Sequence, residues 1–173
     1  TSREYYEVKR LAEIRYFDLI VVGKHGGGDK KSKLKASIER IEKLSKKIKK
    51  FEPDVVISFG SPEAARISFG LGIKHIMFCD SPHANAVMKL TLPLIQKLLI
   101  PYVIPKKEFS KFGINEKDIV QYKAIDAVVT IQRKINQNII SPFKNNNKKN
   151  ILIRMEEEEA AYTSKSSKII PII

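Results

Sequence analysis

Two short apolar runs, Val55–Phe59 and His75–Cys79, are each followed by the same punctuation, and this doublet constrains the fold more than any other stretch. Ser61-Pro62-Glu63-Ala64 follows the first run and Ser81-Pro82-His83-Ala84 follows the second, twenty residues further on. A run rich in Val and Ile and bounded by turn residues fits a strand buried on both faces. Serine suits an N-cap because its hydroxyl accepts from an orphan N–H, and proline suits the first helical position because its missing N–H would have been unpaired there. Each block therefore reads as strand, tight turn, helix. The first helix, Pro62 to about Leu71, passes through Gly70 and Gly72 into the second strand. That is a βαβ unit, with parallel strands and a right-handed crossover.

In an open α/β sheet, ligands sit beyond the carboxyl ends of the strands. Gly60, Ser61, Glu63, Asp80, Ser81 and His83 are expected to gather on that edge. Helix N-termini there offer free N–H groups and partial positive charge, which suit a phosphate, a carboxylate or sugar hydroxyls.

Earlier in the chain, Tyr5 to Glu13 reads as a short helix and Asp18–Gly23 (DLIVVG) as a buried strand. That strand runs into Lys24-His25-Gly26-Gly27-Gly28, whose glycines allow backbone N–H groups to converge on an anion. The loop is neither a Walker A sequence nor GxGxxG. His25 falls on the same edge as Glu63 and His83. Lys33 to Phe51 is the clearest helix, with Leu34, Ile38, Ile41, Leu44, Ile48 and Phe51 forming one apolar stripe. Its other faces carry Lys33, Lys35, Arg40, Lys43, Lys46, Lys47, Lys49 and Lys50, the pattern of a solvated outer helix or of one lying on an anionic membrane.

After His83, Ala84 to Thr91 continues as helix, the segment Leu94–Ile100 ends in a strand, Pro105 to Phe112 is a short helix closed by Gly113, and Asp118–Tyr122 is a further strand. Asp126 to Ile131 is apolar and ambiguous. An Asn- and Lys-rich linker occupies residues 136–150. It separates an incomplete N-terminal domain, 1–135, from the start of a second, 151–173. There Asn150–Arg154 reads as a strand, Glu156 to Glu159 as an acidic helix start, and Ile169–Ile173 as an apolar tail.

Composition limits the partners. Lys and Arg number 32 against 19 Asp and Glu, a net charge of +13 that favours phosphorylated ligands, an anionic membrane surface or nucleic acid. Zinc-finger spacing and aromatic-basic RNA motifs are absent, which argues against nucleic acid. No run reaches the ~18 apolar residues of a membrane span, no signal peptide is evident, and the one cysteine, Cys79, excludes a disulfide framework, so a cytoplasmic protein is expected, at most peripheral to a membrane. No cofactor fingerprint is read. A metal site is not expected, since His25, His75 and His83 are scattered and no HExxH or CxxC pair occurs. A Ser-His-Asp hydrolase is disfavoured by the absence of GxSxG.

Several of these segments together resemble one family. They are Gly23-Lys24-His25-Gly26-Gly27, Pro53-Asp54, Gly60-Ser61-Pro62-Glu63-Ala64 with Arg66, Gly70-Leu71-Gly72-Ile73, Leu90-Thr91-Leu92-Pro93-Leu94, and Arg154 with Glu156, Glu157, Ala160 and Tyr162. In that order they look like the family catalogued as domain of unknown function 354, mostly archaeal and described as predicted glycosyltransferases. Met155 stands where the family usually has proline, and Cys79-Asp80-Ser81 varies its usual turn. The stretch from Pro53 to Asp80 also resembles UDP-N-acetylglucosamine 2-epimerases and the lipid-linked N-acetylglucosaminyltransferase of cell-wall synthesis.

The resemblance implies an α/β chain with a Rossmann-like open parallel sheet and flanking helices, the N-terminal half of a GT-B-type architecture. It also implies that the chain is truncated at both ends, lacking a first strand and helix and most of a C-terminal domain, and so inactive on its own. A sheet without that strand leaves a hydrophobic gap or an open edge. The expected partners are a nucleotide sugar or a glycosyl acceptor, with a homo-oligomer allowed. Glycosyl transfer needs a base for the acceptor hydroxyl and donors for the leaving diphosphate. Glu63, Asp80, His83 and His25 are the candidate bases. Gly26, Gly27, Gly60, Ser61, Arg66, Ser81, Arg154 and Glu156 are the candidate ligand contacts, with plain N-capping the alternative role for Ser61 and Ser81. The alternative function is a non-catalytic basic module that binds nucleic acid or anionic lipid.

Overall fold

A computed structural model describes residues 1–125 together with 128 and 132. Helix α1 spans Tyr6–Ile14 and helix α2 spans Lys30–Phe51. Three βα units then follow in sequence: strand β1 (Val55–Phe59) and helix α3 (Pro62–Leu71), strand β2 (Lys74–Phe78) and helix α4 (Asn85–Thr91), strand β3 (Lys97–Pro101) and helix α5 (Lys107–Ser110). Strand β4 (Ile119–Tyr122) closes the series. The four strands are parallel and lie in the order β1-β2-β3-β4, an open Rossmann-like α/β sheet.

The local reasons match the residues. Asp29 caps α2 by accepting from the Ser32 N–H at 2.9 Å, which starts this helix three residues earlier than its apolar stripe suggests. Ser61 caps α3, with Pro62 at the first turn and Gly72 in the left-handed conformation closing it.

Successive parallel strands joined by right-handed crossovers place every connecting helix on the same face of the sheet. The main core lies there: Met77, Leu98, Ile100 and Ile119 of the sheet pack with Ala65 of α3, Met88 of α4 and Phe109 of α5. A smaller cluster joins Val22 and Leu44 to Ile67, so α2 packs against α3.

The opposite face differs from the expectation of strands buried on both sides. The register aligns Ile57 with Ile76, Phe59 with Phe78, and Phe78 with Leu99, then Leu99 with Val120. Ile57 is 63% exposed and Phe59 59%, and Val120 is also exposed. Among the described residues no helix covers this apolar face.

Other expectations need correction. Asp18–Gly23 is not a strand of the sheet: it is extended, with Ile20 and Val21 exposed, and joins Ser2 through one isolated parallel bridge. Ser81 does not cap a helix; α4 begins at Asn85, with Ala84 before it, and the Ala84 N–H closes a turn on the Ser81 carbonyl at 3.1 Å while the Ser81 hydroxyl donates to Asp80 Oδ1 at 2.7 Å. Cys79 lies just past β2. On α2, Leu34, Ile38 and Phe51 are exposed, while Arg40 is buried beside Leu44, so the buried face is rotated toward Ser37, Arg40, Ile41, Leu44 and Ile48. The readings for Asp126–Ile131, the 136–150 linker, the Asn150–Arg154 strand, the Glu156–Glu159 helix start and the Ile169–Ile173 tail lie outside the described residues. Among the described residues, no helix is long and apolar enough to cross a membrane.

Candidate functional site

The pairing of Phe59 with Phe78 sends the chain out of β1 and β2 side by side. The Gly60 N–H continues the ladder, donating to the Phe78 carbonyl at 3.1 Å, so Gly60-Ser61 stands next to Cys79-Asp80 at the carboxyl edge. Gly60 has φ of 51°, a left-handed turn that favours glycine, and this releases the chain directly into the α3 cap. On the neighbouring turn Asp80 and His83 are exposed, and the Ser81 N–H donates to the buried Cys79 thiol at 3.5 Å. Burial pushes the Cys79 thiol pKa up, which keeps it protonated and poorly nucleophilic. Arg66 is exposed one turn further along α3.

Glu63, by contrast, is 2% exposed and heavily engaged. Its Oε1 accepts from Arg3 Nη2 at 2.6 Å and from the Ser37 hydroxyl at 2.8 Å; its Oε2 accepts from the Ser61 hydroxyl at 3.2 Å and lies 3.9 Å from Arg40 Nε. Burial alone would raise the Glu63 pKa, but the Ser37 hydrogen bond and the Arg3 charge reverse this and hold it below the usual carboxylate range. Arg40 also donates to the Val22 carbonyl, tying α2 to the extended segment; burial lowers its pKa despite Glu63. This cluster of two guanidiniums on one carboxylate joins the first residues, α2 and α3. It makes Glu63 an ionised anchor, and the lowered pKa makes it a poor general base.

The glycine loop folds back on itself. The Gly27 N–H donates to His25 Nδ1 at 3.2 Å, and the His25 ring lies 6.1 Å from that of Tyr5. At Gly26 a Cβ would stand 2.5 Å from the Lys33 Cα, so glycine there lets the loop press on the first turn of α2.

A cleft of about 620 Å³ runs beside β1. Thr1, Ser2 and Arg3 form one rim and Val56 to Ser61 the other, over Leu44 and Ile48 of α2. Gly60, Ser61 and Glu63 reach its end; His25, Gly26, Gly27, Asp80, Ser81, His83 and Arg66 are not among its lining residues. The sequence-derived candidates therefore divide into four places: the cleft end at Gly60–Glu63, the turn at Asp80–His83, the loop at His25–Gly27, and the exposed side of α3 at Arg66. Arg154 and Glu156 lie outside the described residues. The roles of Arg3 and Arg40 escaped the sequence reading: Arg40 reads as one more cation on the basic face of a Lys-rich helix, and Arg3 meets its partner 60 residues away. No three His, Cys, Asp or Glu side chains come together as a metal-binding group among the described residues.

The family described as "Protein of unknown function (DUF354)" matches residues 1–173, and the chain belongs to it. An uncharacterized protein of Methanocaldococcus jannaschii is 36% identical over 113 residues, which are 65% of this chain and 33% of that protein. The matched stretch thus spans about a third of that relative's length.

Proposed function

We propose that the carboxyl edge of this sheet forms one wall of a glycosyl-transfer site that takes a nucleotide sugar or its acceptor. The observation that carries the reading is the side-by-side exit of β1 and β2, which puts Gly60-Ser61 and the N-terminus of α3 next to the exposed Asp80 turn. Ligands of open α/β sheets bind at such an edge, and a helix N-terminus suits a diphosphate. The family resemblance to glycosyltransferases of GT-B type supports the same class. In this reading Asp80, exposed and steadied by Ser81, takes the proton from an acceptor hydroxyl. The hydroxyl oxygen then bonds to the anomeric carbon as the diphosphate leaves with the bonding electrons. Glu63 holds Arg3 and Arg40 in place rather than moving a proton.

A melt of the chain with a panel of nucleotide sugars tests this. A bound ligand at a hundred times its dissociation constant adds about 2.7 kcal/mol. One nucleotide is expected to raise the midpoint in wild type and not in Asp80→Asn with Gly60→Val. Binding that ignores the sugar and collapses with salt would instead mark a basic anion-binding module.

A further inference from the structure

The cleft beside β1 is graded from polar to apolar along its length, and two elements grade it in the same direction. Helix α2 ends at Phe51 and β1 starts at Val55. Arg40, Leu44 and Ile48 of the helix line the same cleft as Val56 to Ser61, so the helix runs back along the strand. These three residues are four apart and form one row on the helix. Arg40 stands by Glu63 at the carboxyl end of β1, which leaves Ile48 toward the amino end. On the strand Val56 and Ser58 share one face, with Val56 beside the apolar end and Ser58 nearer the polar one.

The polar end carries an unbalanced charge. Among the side chains lining the cleft, two guanidiniums, Arg3 and Arg40, stand against the one carboxylate of Glu63, which leaves one positive charge. Arg40 Nε is buried with no hydrogen-bond partner among the described residues, and Glu63 Oε2 lies 3.9 Å from it. The Arg3 side chain remains 29% exposed.

A neutral donor lines the same cleft. Ser58 Oγ and His75 Nε2 are 2.8 Å apart, while His75 Nδ1 is buried with no partner among the described residues. A neutral imidazole carries its proton on one nitrogen only. On Nδ1 that proton would be a buried N–H without an acceptor, the orphan that folded proteins avoid most. The proton therefore sits on Nε2 and is donated to Ser58 Oγ. The Ser58 hydroxyl keeps its own proton for a group in the cleft.

We propose that this cleft binds a monoanionic carboxylate with a straight alkyl chain, its head between Arg3 and the Ser58 hydroxyl and its chain along Val56, Leu44 and Ile48. A guanidinium fork matches a carboxylate, and one negative charge balances the one left over, where a phosphate dianion would overshoot. From Arg40 to Ile48 the helix rises about 12 Å, roughly the span of an eight-carbon chain. A cleft of about 620 Å³ with an apolar floor and a few convergent polar groups has the form of a small-ligand site. Nothing in this fit depends on a nucleotide or a sugar.

The test titrates isotope-labelled residues 1–173 with sodium octanoate, below its micelle concentration, and follows amide shifts. Saturable shifts at Ser58 and Ile48 are expected. Octanoate should bind about tenfold or more tighter than octan-1-ol, which lacks the charge, or acetate, which lacks the chain. Ser58→Ala should weaken octanoate by about three- to tenfold, and Ser58→Thr, which keeps the hydroxyl, should restore it. Val56→Thr keeps the side-chain shape and sets a hydroxyl beside the chain, so it should weaken octanoate and leave acetate unchanged. The Leu98 amide, in the middle of the sheet, reports an intact fold in each variant. A spectrum of the imidazole nitrogens should show His75 protonated at Nε2. Shifts that do not saturate, or octan-1-ol matching octanoate, would overturn the carboxylate site. Acetate matching octanoate would overturn the groove for the chain. His75 protonated at Nδ1 would overturn the Ser58 donor. The melt with nucleotide sugars reads a different ligand, so either result can fail without the other.

Discussion

Arg3 Nη2 and Glu63 Oε1, 60 residues apart in the chain, meet at 2.6 Å, and this ion pair fastens the first residues of the protein to the start of α3. Glu63 is buried and also faces Arg40 Nε at 3.9 Å, so one carboxylate is shared between two guanidiniums.

Glu63→Gln keeps the shape of the side chain and removes its charge. It is expected to cost about 2–3 kcal/mol, toward the low side for a broken buried pair because Arg3 keeps partial contact with water. Urea unfolding measures the loss. In the Glu63→Gln background Arg3→Met should cost less than it does in wild type, and a double-mutant cycle that returns zero coupling would rule out the ion pair as the source.

His75 is fully buried between β1 and β3, with Nε2 hydrogen-bonded to Ser58 Oγ at 2.8 Å and no partner for Nδ1 among the described residues. Burial lowers its pKa to about 4, so the folded chain holds it neutral. The unfolded chain takes up a proton near pH 6.5 and the folded chain does so only near 4, so stability is highest above about pH 6.5 and falls between those values, by roughly 3 kcal/mol in total. His75→Gln should flatten this slope. Glu63, whose pKa is depressed, adds a separate loss below the ordinary carboxylate pKa, which His75→Gln should leave in place. A stability profile that is flat from pH 7 to 5 in wild type would contradict the burial argument.

Two glycine-to-alanine changes are expected to have opposite signs. Gly70 lies within α3 with ordinary φ and open space at its Cβ position, so Gly70→Ala should stabilise by about 0.5–1 kcal/mol. Gly26→Ala drives a methyl into the Lys33 backbone and should destabilise by about 1–3 kcal/mol, or release the loop from α2. Thermal midpoints of the two variants, measured side by side, decide this.

Ser61→Ala separates capping from chemistry. The Ser61 hydroxyl accepts from the Ala64 N–H at 3.3 Å and donates to Glu63. Its loss should cost about 1 kcal/mol of stability while leaving the affinity of the folded protein for any nucleotide within twofold of wild type. A tenfold loss of affinity with unchanged stability would place Ser61 in contact with ligand.

The parts of the fold legible in the sequence were those with local causes. Val55–Phe59 and Pro62–Leu71 form as read, because a β-branched run and a Ser-Pro cap are decided within a few residues. The parallel sheet followed from their alternation. Ser81-Pro82 carries the same local signal as Ser61-Pro62, yet no helix starts there: the Ala84 N–H donates to the Ser81 carbonyl at 3.1 Å, closing a turn, where the corresponding Ala64 N–H donates to the Ser61 hydroxyl. The DLIVVG run has strand composition but, among the described residues, joins the backbone of Ser2 and Glu4 rather than the sheet, and pairing partners are not written in the run itself. For the candidate site, the carboxyl edge was legible from strand order. The engagement of Glu63 was not, because it depends on Arg3, Ser37 and Arg40, from three separate parts of the chain.

The strand order has a consequence for how the molecule comes to be folded. Ladder partners such as Val55 and Lys74, Ile76 and Lys97, and Leu98 and Ile119 lie about twenty residues apart throughout. Each strand docks on the one synthesised just before it, so the sheet can lengthen at a single growing edge as the polypeptide leaves the ribosome. Short, uniform loop closures of this kind favour rapid folding over long-range search. The slow step then falls at the other edge, where the Arg3–Glu63 pair must close across 60 residues after α3 has already formed.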